Sequence, residues 1–544
     1  MSEPTQIQNS NHQTLQPLLI FVCLAVGVLW GAQIKKVEKD KFTQIIDIVE
    51  SDYVDSSNGE YIREASIKFL LSQLDPHSTY IPSQLSEISS RQIKGEYDGL
   101  GIEYFRTNDT LFVYDVLLNS PASKNGILPG DRLLKINKKD VVNETNEDSL
   151  RAILQNKEMQ ISLYRKSTNQ FYNINVKKAP ISMNSSKSYY MMNETLGYIK
   201  IERFSSQTHQ EFMVALNELK AKGMKELLLD LRDNGGGLLS ESVAIANEFL
   251  DKDALITFTE GHKRLKKEYF ANGKGGFISG KLILLINQNT ASASEILAGA
   301  LQDNDRAVLI GSRSFGKGLV QEPFRLSDGS LIRLTTARYY TPSGRSIQRD
   351  YDQSPELYRL QIFNRDILAD TLNPILDSSS LKEFFSKNGR LLTPGGGLRP
   401  DLVYTSTQGD SIYTSGFVQN LEYTKMLKVF VLDHMQSELN KIKKQYNSPQ
   451  AFFNKYQLPN KYINQVLKQV KKNKHFINYQ TGIKNEQIIK EAILLEITFR
   501  IFGETGRNIL ANKQEGVYSK TLEVLKKYNT LLNIKPKNTR RFDY

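Results

Sequence analysis

The sequence predicts an α/β body on a mixed, partly parallel sheet, with a β-rich module inserted ahead of it and helical segments at both ends. Three observations carry that expectation. Between residues 195 and 345, strand runs alternate with helical runs, a pattern that builds a partly parallel sheet with functional groups at its strand ends. From Gly95 to about Lys178 the pattern changes to short strands separated by glycines. Outside both regions, apolar residues recur at helical spacing. A chain of 544 residues is long enough to hold several hydrophobic cores.

The elements follow in chain order. A polar tail, residues 1–16, precedes the apolar run "PLLIFVCLAVGVLWGA" at 17–32, which falls just short of the usual span of about 20 residues. The tail lacks the Lys or Arg that begins a cleaved signal peptide, so the run is expected to be a single membrane anchor or an uncleaved signal segment. Lys35, Lys36, Lys39 and Lys41 follow it and on their own favour a cytoplasmic body. Residues 37–90 read as helical, from "FTQIIDIVESDYV" and "IREASIKFLLSQL". Residues 91–178 form the β-rich module, with strands such as "LFVYDVL" and "MQISLYR" and a helix at "NEDSLRAIL". Such a module suits peptide capture: a strand edge accepts an extended chain and a loop of N–H groups accepts its terminal carboxylate. Residues 179–401 are the α/β body, where "KELLLDLRDNGGG" and "GKLILLIN" are buried strands running into turns and helices. Residues 402–544 are basic and mainly helical.

Composition excludes several classes. Forty per cent hydrophobic and 24% charged residues argue against a disordered or polytopic membrane protein. The net charge of +12 comes with no nucleic-acid reading module, so no nucleic-acid partner is expected. Cys23 is the single cysteine, which rules out an intrachain disulfide and a cysteine metal cluster. No H-x-x-x-H pair or ligand-spaced acidic set is present, and neither metal nor cofactor is expected.

"GSRSFGKG", residues 311–318, nearly spells a phosphate-binding loop. It lacks the following Ser or Thr that would hold magnesium, and "LVQEPFRL" continues as a strand where a helix should begin. Lys317 is better suited to another task. Held between glycines and partly desolvated by "SF" and "LV", its amine would have a lowered pKa, as a general base near neutrality requires. "NQNTASASEILAGALQDNDRA" places Ser292 and Ser294 where a helix starts, so that one hydroxyl caps it and the other faces a cleft. The glycines of "DNGGG" let backbone approach a ligand and donate N–H groups. Serine, lysine and such a turn supply nucleophile, base and oxyanion hole. The six histidines are scattered, and none lies in a strand–turn–helix nucleophile context.

Together "TASASEILAGALQDNDRAVLIGSRSFGKGLVQ" and "DLRDNGGGLL" resemble the core of the carboxyl-terminal processing, or tail-specific, serine peptidases. The similarity extends over "DPHSTYI", "GLGIEY", "SPASKNGILPGDRLLKIN", "RYYTPSGRSIQ" and "GGGLRPD", about Asp75 to Asp401. It implies a PDZ domain at 91–178 and a Ser-Lys peptidase core at 179–401. It also implies Ser292 as nucleophile, Lys317 as base, Gln321 as the residue positioning that lysine, and Gly236 with Ala293 as oxyanion donors. Gly99, Leu100, Gly101 and Ile102 would receive the substrate's C-terminus. The implied substrates are proteins or peptides with apolar C-terminal tails, with a homodimer or an adaptor as further partners. The family's location implies a single-pass inner-membrane protein with its body in the periplasm, against the flanking-charge cue. One departure stands out: Gly235 occupies a position where the family commonly has proline. A membrane-tethered PDZ scaffold without turnover and a nucleotide-dependent enzyme are the alternatives.

Overall fold

The computed structural model describes residues 21–23, 40–107, 109–142, 144, 147–352, 354–361, 383–404, 421–472 and 486–532. The chain divides after Leu74 into two units. The first contains helices Lys41–Asp52 (α1) and Gly59–Ser72 (α2). The Asp40 carboxylate caps α1 by accepting the Phe42 and Thr43 N–H groups.

The second unit opens with Thr79–Ile81 (β1), Ser83–Lys94 (α3) and Glu96–Gly99 (β2). A β-rich module follows: Ile102–Thr107 (β3), Thr110–Val116 (β4), Pro121–Lys124 (α4), Asp131–Ile136 (β5), Lys139–Asp140 (β6), Glu147–Leu154 (α5), Glu158–Arg165 (β7) and Gln170–Lys177 (β8). Its strands are antiparallel in the order β3-β4-β5-β7-β8. Leu111, Val113, Leu133, Ile161 and Leu163 alternate inward to make its core. Ala179–Ser182 (β9) pairs with β2, so one two-stranded ribbon carries the chain into and out of the module.

Among the described residues the body has two large sheets and one small two-stranded sheet. Ser188–Met191 (β10), Leu196–Lys200 (β11), Thr208–Ala221 (α6), Glu226–Asp230 (β12) and Leu239–Asn247 (α7) begin it. Leu255–Gly261 (β13), Arg264–Phe270 (β14), Lys281–Ile286 (β15), Ala293–Asp303 (α8) and Val308–Gly311 (β16) continue, then Leu319–Arg325 (β17), Leu331–Tyr340 (β18) and Pro355–Leu360 (α9). Phe384–Phe385 (β19), Leu391–Leu392 (β20) and Leu402–Val403 (β21) complete it. The larger sheet runs β10-β11-β12-β15-β16-β21, antiparallel at β10–β11 and parallel thereafter. The second is antiparallel, with β1 and β13 flanking β18 and β17 also paired to it.

The sequence "ELLLD" is apolar without alternation because both faces of β12 are covered. Leu227 and Leu229 pack with α6, α7 and α8; Leu228 packs on the other face with Val517, Val524, Leu525 and Leu532. Those last residues belong to the C-terminal helices, numbered here as Leu421–His434 (α10), Gln436–Gln445 (α11), Pro449–Lys455 (α12), Asn460–Lys472 (α13), Glu486–Gln514 (α14), Val517–Lys526 (α15) and Tyr528–Leu532 (α16). Each such leucine contributes about 1.5–3 kcal/mol on burial. The basic, helical region therefore forms the second cover of the larger, β10-to-β21 sheet, besides a core of its own around Phe430, Ile493 and Ile497.

Helix α14 also joins the module to the body. Near its middle Gly503 breaks the helical geometry at φ 66° and ψ −162°. Before the break, Phe499 stacks on Tyr114 of β4, and the Tyr114 hydroxyl donates to Glu496 Oε2 at 2.8 Å. After it, Asn512 Oδ1 accepts from Arg232 Nη2 at 2.9 Å, and Glu515 Oε2, just beyond the helix, from Nη1 at 2.6 Å.

The expected membrane anchor, with the single-pass location and membrane contact that depend on it, is corrected. Among the described residues no helix is long and apolar enough to cross a membrane. The run at 17–32 is itself shorter than the roughly 20 residues a helix needs to span a bilayer, and apart from residues 21–23 it lies outside the described residues.

Candidate active site

Two turns at the ends of parallel strands meet at this site. After β12 the chain turns through Asp233 at φ 63° and Gly236 at φ 95°. A Cβ on Gly236 would lie 2.8 Å from Ser292 Cβ and 2.9 Å from the Ala293 nitrogen, so only glycine fits against the second turn. Asn234 ties the two together. Its carbonyl accepts the Ala291 N–H at 3.0 Å and the Ser294 hydroxyl at 3.0 Å, while its Nδ2 donates to Ile201 O at 2.9 Å. Ser294 is thereby fully engaged and buried, which leaves Ser292 as the serine at the surface of the turn. Ser292 has φ 57° and ψ −117°, a strained conformation for a residue with a side chain, held at the start of α8.

Lys317, the expected base, lies on a third turn. Gly316 at φ 88° and Gly318 flank Lys317, and the Gly318 N–H donates to Gln348 Oε1 at 2.7 Å. Burial is the main cause that pulls the Lys317 amine below its ordinary pKa; the Arg333 cation adds to this, and Asp75 and Glu295 oppose it. The Tyr339 hydroxyl donates to Lys317 O at 2.6 Å and lies 3.2 Å from Ser292 O.

Glu295 binds the serine and lysine turns to each other. Its Oε2 accepts the N–H of Ser292 and the N–H of Lys317, both at 2.9 Å. Its Oε1 accepts the Gly316 N–H at 2.7 Å and the Ser314 hydroxyl at 2.5 Å. Complete burial raises its pKa to about 7 against the pull of these donors. Sequence reasoning missed it; the available signal was the serine–x–x–glutamate spacing of a helix capping box. His77 was also missed. It stands in the field of Lys317, and burial, then that cation, lowers its pKa to about 4. "DPHSTYI" carried the only sign of it.

The remaining expected residues are placed as follows. Ala293 is the first residue of α8, so its N–H precedes the first intrahelical bond. The Gly236 N–H is turned onto Asn234 Oδ1 at 2.9 Å. Gln321 Nε2 donates to Leu319 O and Thr335 Oγ1, each at 3.3 Å, beside an irregularity in the β17–β18 register; among the described residues it makes no hydrogen bond to Lys317. In the module, Gly99 pairs with Ala179, Leu100 is buried in the core, and Gly101 O accepts the Leu117 N–H. Ile102 reaches a cavity of about 1130 Å³, which Leu117, Ser120, Ile181, Phe499 and Gly503 also line.

Residues 195–353 match the model of Peptidase family S41, and residues 88–164 match that of the PDZ domain. A carboxy-terminal-processing protease of Bartonella bacilliformis is 35% identical over 316 residues, which cover 57% of this chain and 72% of that one. The chain belongs to the carboxy-terminal-processing serine peptidases. A probable CtpA-like serine protease of Staphylococcus aureus is 30% identical over 314 residues, 57% of this chain and 62% of that one. Among solved structures, a photosystem II D1 C-terminal processing protease is similar at 26% identity and TM-score 0.34, covering 58% of this chain and 92% of its own. A putative S41 protease from Bacteroides fragilis shows 16% identity and TM-score 0.39, with 71% and 96% covered. This carboxy-terminal-processing peptidase thus carries its PDZ module ahead of the S41 body, on the ribbon formed by β2 and β9.

Proposed function

We propose that this peptidase cleaves protein chains near apolar, loosely structured C-terminal tails, with Ser292 as nucleophile and Lys317 as general base. The observation that carries the reading is the shared carboxylate: one oxygen of Glu295 accepts the backbone N–H of both residues at 2.9 Å, which fixes their turns relative to each other. A lysine desolvated at this position is neutral more often than a surface lysine and can take a proton.

Ser292 Oγ attacks the scissile carbonyl carbon while Lys317 Nζ accepts the hydroxyl proton. The oxyanion is stabilised by the Ala293 N–H at the head of α8, joined by the Gly236 N–H once it leaves Asn234 Oδ1. The C–N bond then breaks, and Lys317 returns the proton to the departing amine. Water, deprotonated by the same lysine, attacks the ester and frees Ser292. Gln321 positions Lys317 after a shift of its amide from Leu319 and Thr335. The tail is held by the module, with Ile102 and the cavity beside it taking apolar side chains.

The test is mass-resolved cleavage of an unfolded protein with an apolar C-terminus, comparing wild type with Ser292→Ala and Lys317→Ala. Both variants are expected to lose at least about 10³-fold in kcat while keeping fold and tail binding. Equal cleavage by all three would remove both roles. Tail binding without cleavage by the wild type would favour a scaffold.

A further inference from the structure

Beside the base lies a cation that the reaction above does not use. Arg349 is pinned to the lysine turn: its N–H donates to Gly316 O at 2.9 Å, and a Cβ on Gly316 would come within 3.1 Å of Arg349 Cβ. The side chain is only 4% exposed, yet among the described residues Nε, Nη1 and Nη2 all lack a hydrogen-bond partner. The neighbouring buried arginines are paired. Arg345 Nη2 lies 2.7 Å from Asp303 Oδ1, and Arg390 contacts Asp305 at 2.5 Å and Asp401 at 2.6 Å.

Arg349 stands instead in an aromatic corner. Its guanidinium carbon is 3.8 Å from the Tyr358 ring centre and 4.6 Å from that of Phe315. The two ring centres are only 6.2 Å apart, so they form a corner around the cation rather than a sandwich. His77 adds to the wall, with Nε2 3.1 Å from the Tyr358 hydroxyl. Attraction to ring faces replaces part of the hydration an arginine loses on burial, and it leaves the N–H edge unsatisfied and, in this structure, closed to solvent. A guanidinium keeps its proton, and its planar fork of donors matches a carboxylate bidentately.

We propose that Arg349 is the receiving group of a carboxylate subsite beside Ser292 and Lys317, taking peptides whose carboxylate falls close to the scissile bond. The carboxylate is either the chain's C-terminal one or an Asp or Glu side chain. The subsite rests on the peptidase reading of that pair and deepens it: the module grips the tail at a distance, and Arg349 selects charge near the cut.

The test uses full-length protein in a Ser292→Ala background, with Arg349 intact or changed to Met, which keeps an apolar stem of similar length. Three peptides of one sequence are compared by fluorescence anisotropy: free acid, C-terminal amide, and the amide with one Glu near the scissile position. Arg349→Met is expected to reduce the preference for a carboxylate peptide over the neutral amide about tenfold, the scale of a charge-assisted pair. The module's own preference for a free tail persists in both proteins and cancels from this comparison. A loss confined to the free acid assigns the terminal carboxylate; a loss confined to the Glu peptide assigns the side chain. An unchanged preference for both peptides overturns the proposal. Should Arg349→Met fail to fold, Arg349→Lys, which keeps charge but not the fork, is expected to lower the preference severalfold, and no change there overturns it equally. Cleavage of the same peptides by the Ser292 enzyme separates the two readings. Binding selectivity without cleavage sinks the peptidase roles alone, and cleavage without selectivity sinks the subsite alone.

Discussion

The proposed catalytic corner and the proposed tail-receiving side of the module meet opposite demands. At the corner, Ser292 is strained, Lys317 is desolvated, and a buried carboxylate with four donors holds both turns. At the module, Leu100 is locked into a core while Ile102 borders a large cavity shared with the Gly503 break of α14. Chemistry needs the reacting atoms held to a fraction of an ångström. Tail capture needs apolar room that different side chains can fill. The same chain thus spends buried polar contacts where geometry must be fixed and leaves space where sequence must vary.

Breaking the corner is expected to have the largest effect. Glu295→Ala leaves the Ser292, Gly316 and Lys317 amides and the Ser314 hydroxyl without their acceptor. A loss of about 3–5 kcal/mol in stability is expected from buried donors left unpaired. A fall in kcat of about 10²-fold should accompany it as the two turns drift apart. Denaturant unfolding and single-turnover kinetics measure the two losses; a variant with wild-type kcat would show that the serine and lysine turns hold their places unaided.

The module should respond differently. Ile102→Asp puts a charge at the cavity edge and is expected to raise KM for an apolar-tailed substrate about tenfold, with kcat nearly unchanged. If kcat fell with KM steady, Ile102 would act on the chemistry and the contrast between the two regions would collapse.

Much of this contrast was legible in the sequence. Alternating strand and helix runs and the glycine turns are local features and were readable; spacing alone left Ser292 and Ser294 open, and the pair Ser292 and Lys317 came from the family resemblance. Glu295 was not singled out because a capping box explains it fully until the lysine turn is seen folding onto the same oxygen. The role of residues 402–544 was equally hidden: the segment read only as basic and mainly helical, and only the fold reveals its Val517 and Leu525 packed across from Leu228. Arg349 was silent for the same reason, since sequence cannot show that a buried cation lacks a partner.

The pH response sharpens the comparison at the corner. In its proposed role as base Lys317 must be neutral to accept a proton, and its folded pKa lies below the ordinary value, so kcat/KM is expected to rise with pH through that lowered pKa. For stability the sign follows from linkage. Between the lowered folded pKa and the ordinary 10.5, the unfolded chain binds more protons at this site, so the lysine's cost to folding is full below that window and fades as pH rises through it. Lys317→Met should therefore raise the unfolding midpoint at neutral pH while removing activity. Glu295 has the opposite linkage: its raised pKa contributes stability that is present below about 4.5 and lost as pH rises through about 7. A Lys317→Met protein no more stable than wild type would mean that the amine is well solvated where it stands.

The smallest effect is expected at Gly235, where this chain departs from the proline common in its family. A Cβ there would meet nothing within 4 Å, and among the described residues no hydrogen bond uses its N–H. Proline removes unfolded-state freedom at about 0.4–1 kcal/mol where the native backbone accepts it. Gly235→Pro should thus raise the denaturant midpoint slightly and leave the Gly236 turn against Ser292. Proline also restricts the residue before it, and that residue is Asn234, which holds the Gly236 N–H, the Ala291 N–H and the Ser294 hydroxyl. A drop in stability or in kcat would accordingly mean that Asn234 needs a backbone conformation that proline forbids, and that glycine at 235 is a requirement of this version of the turn.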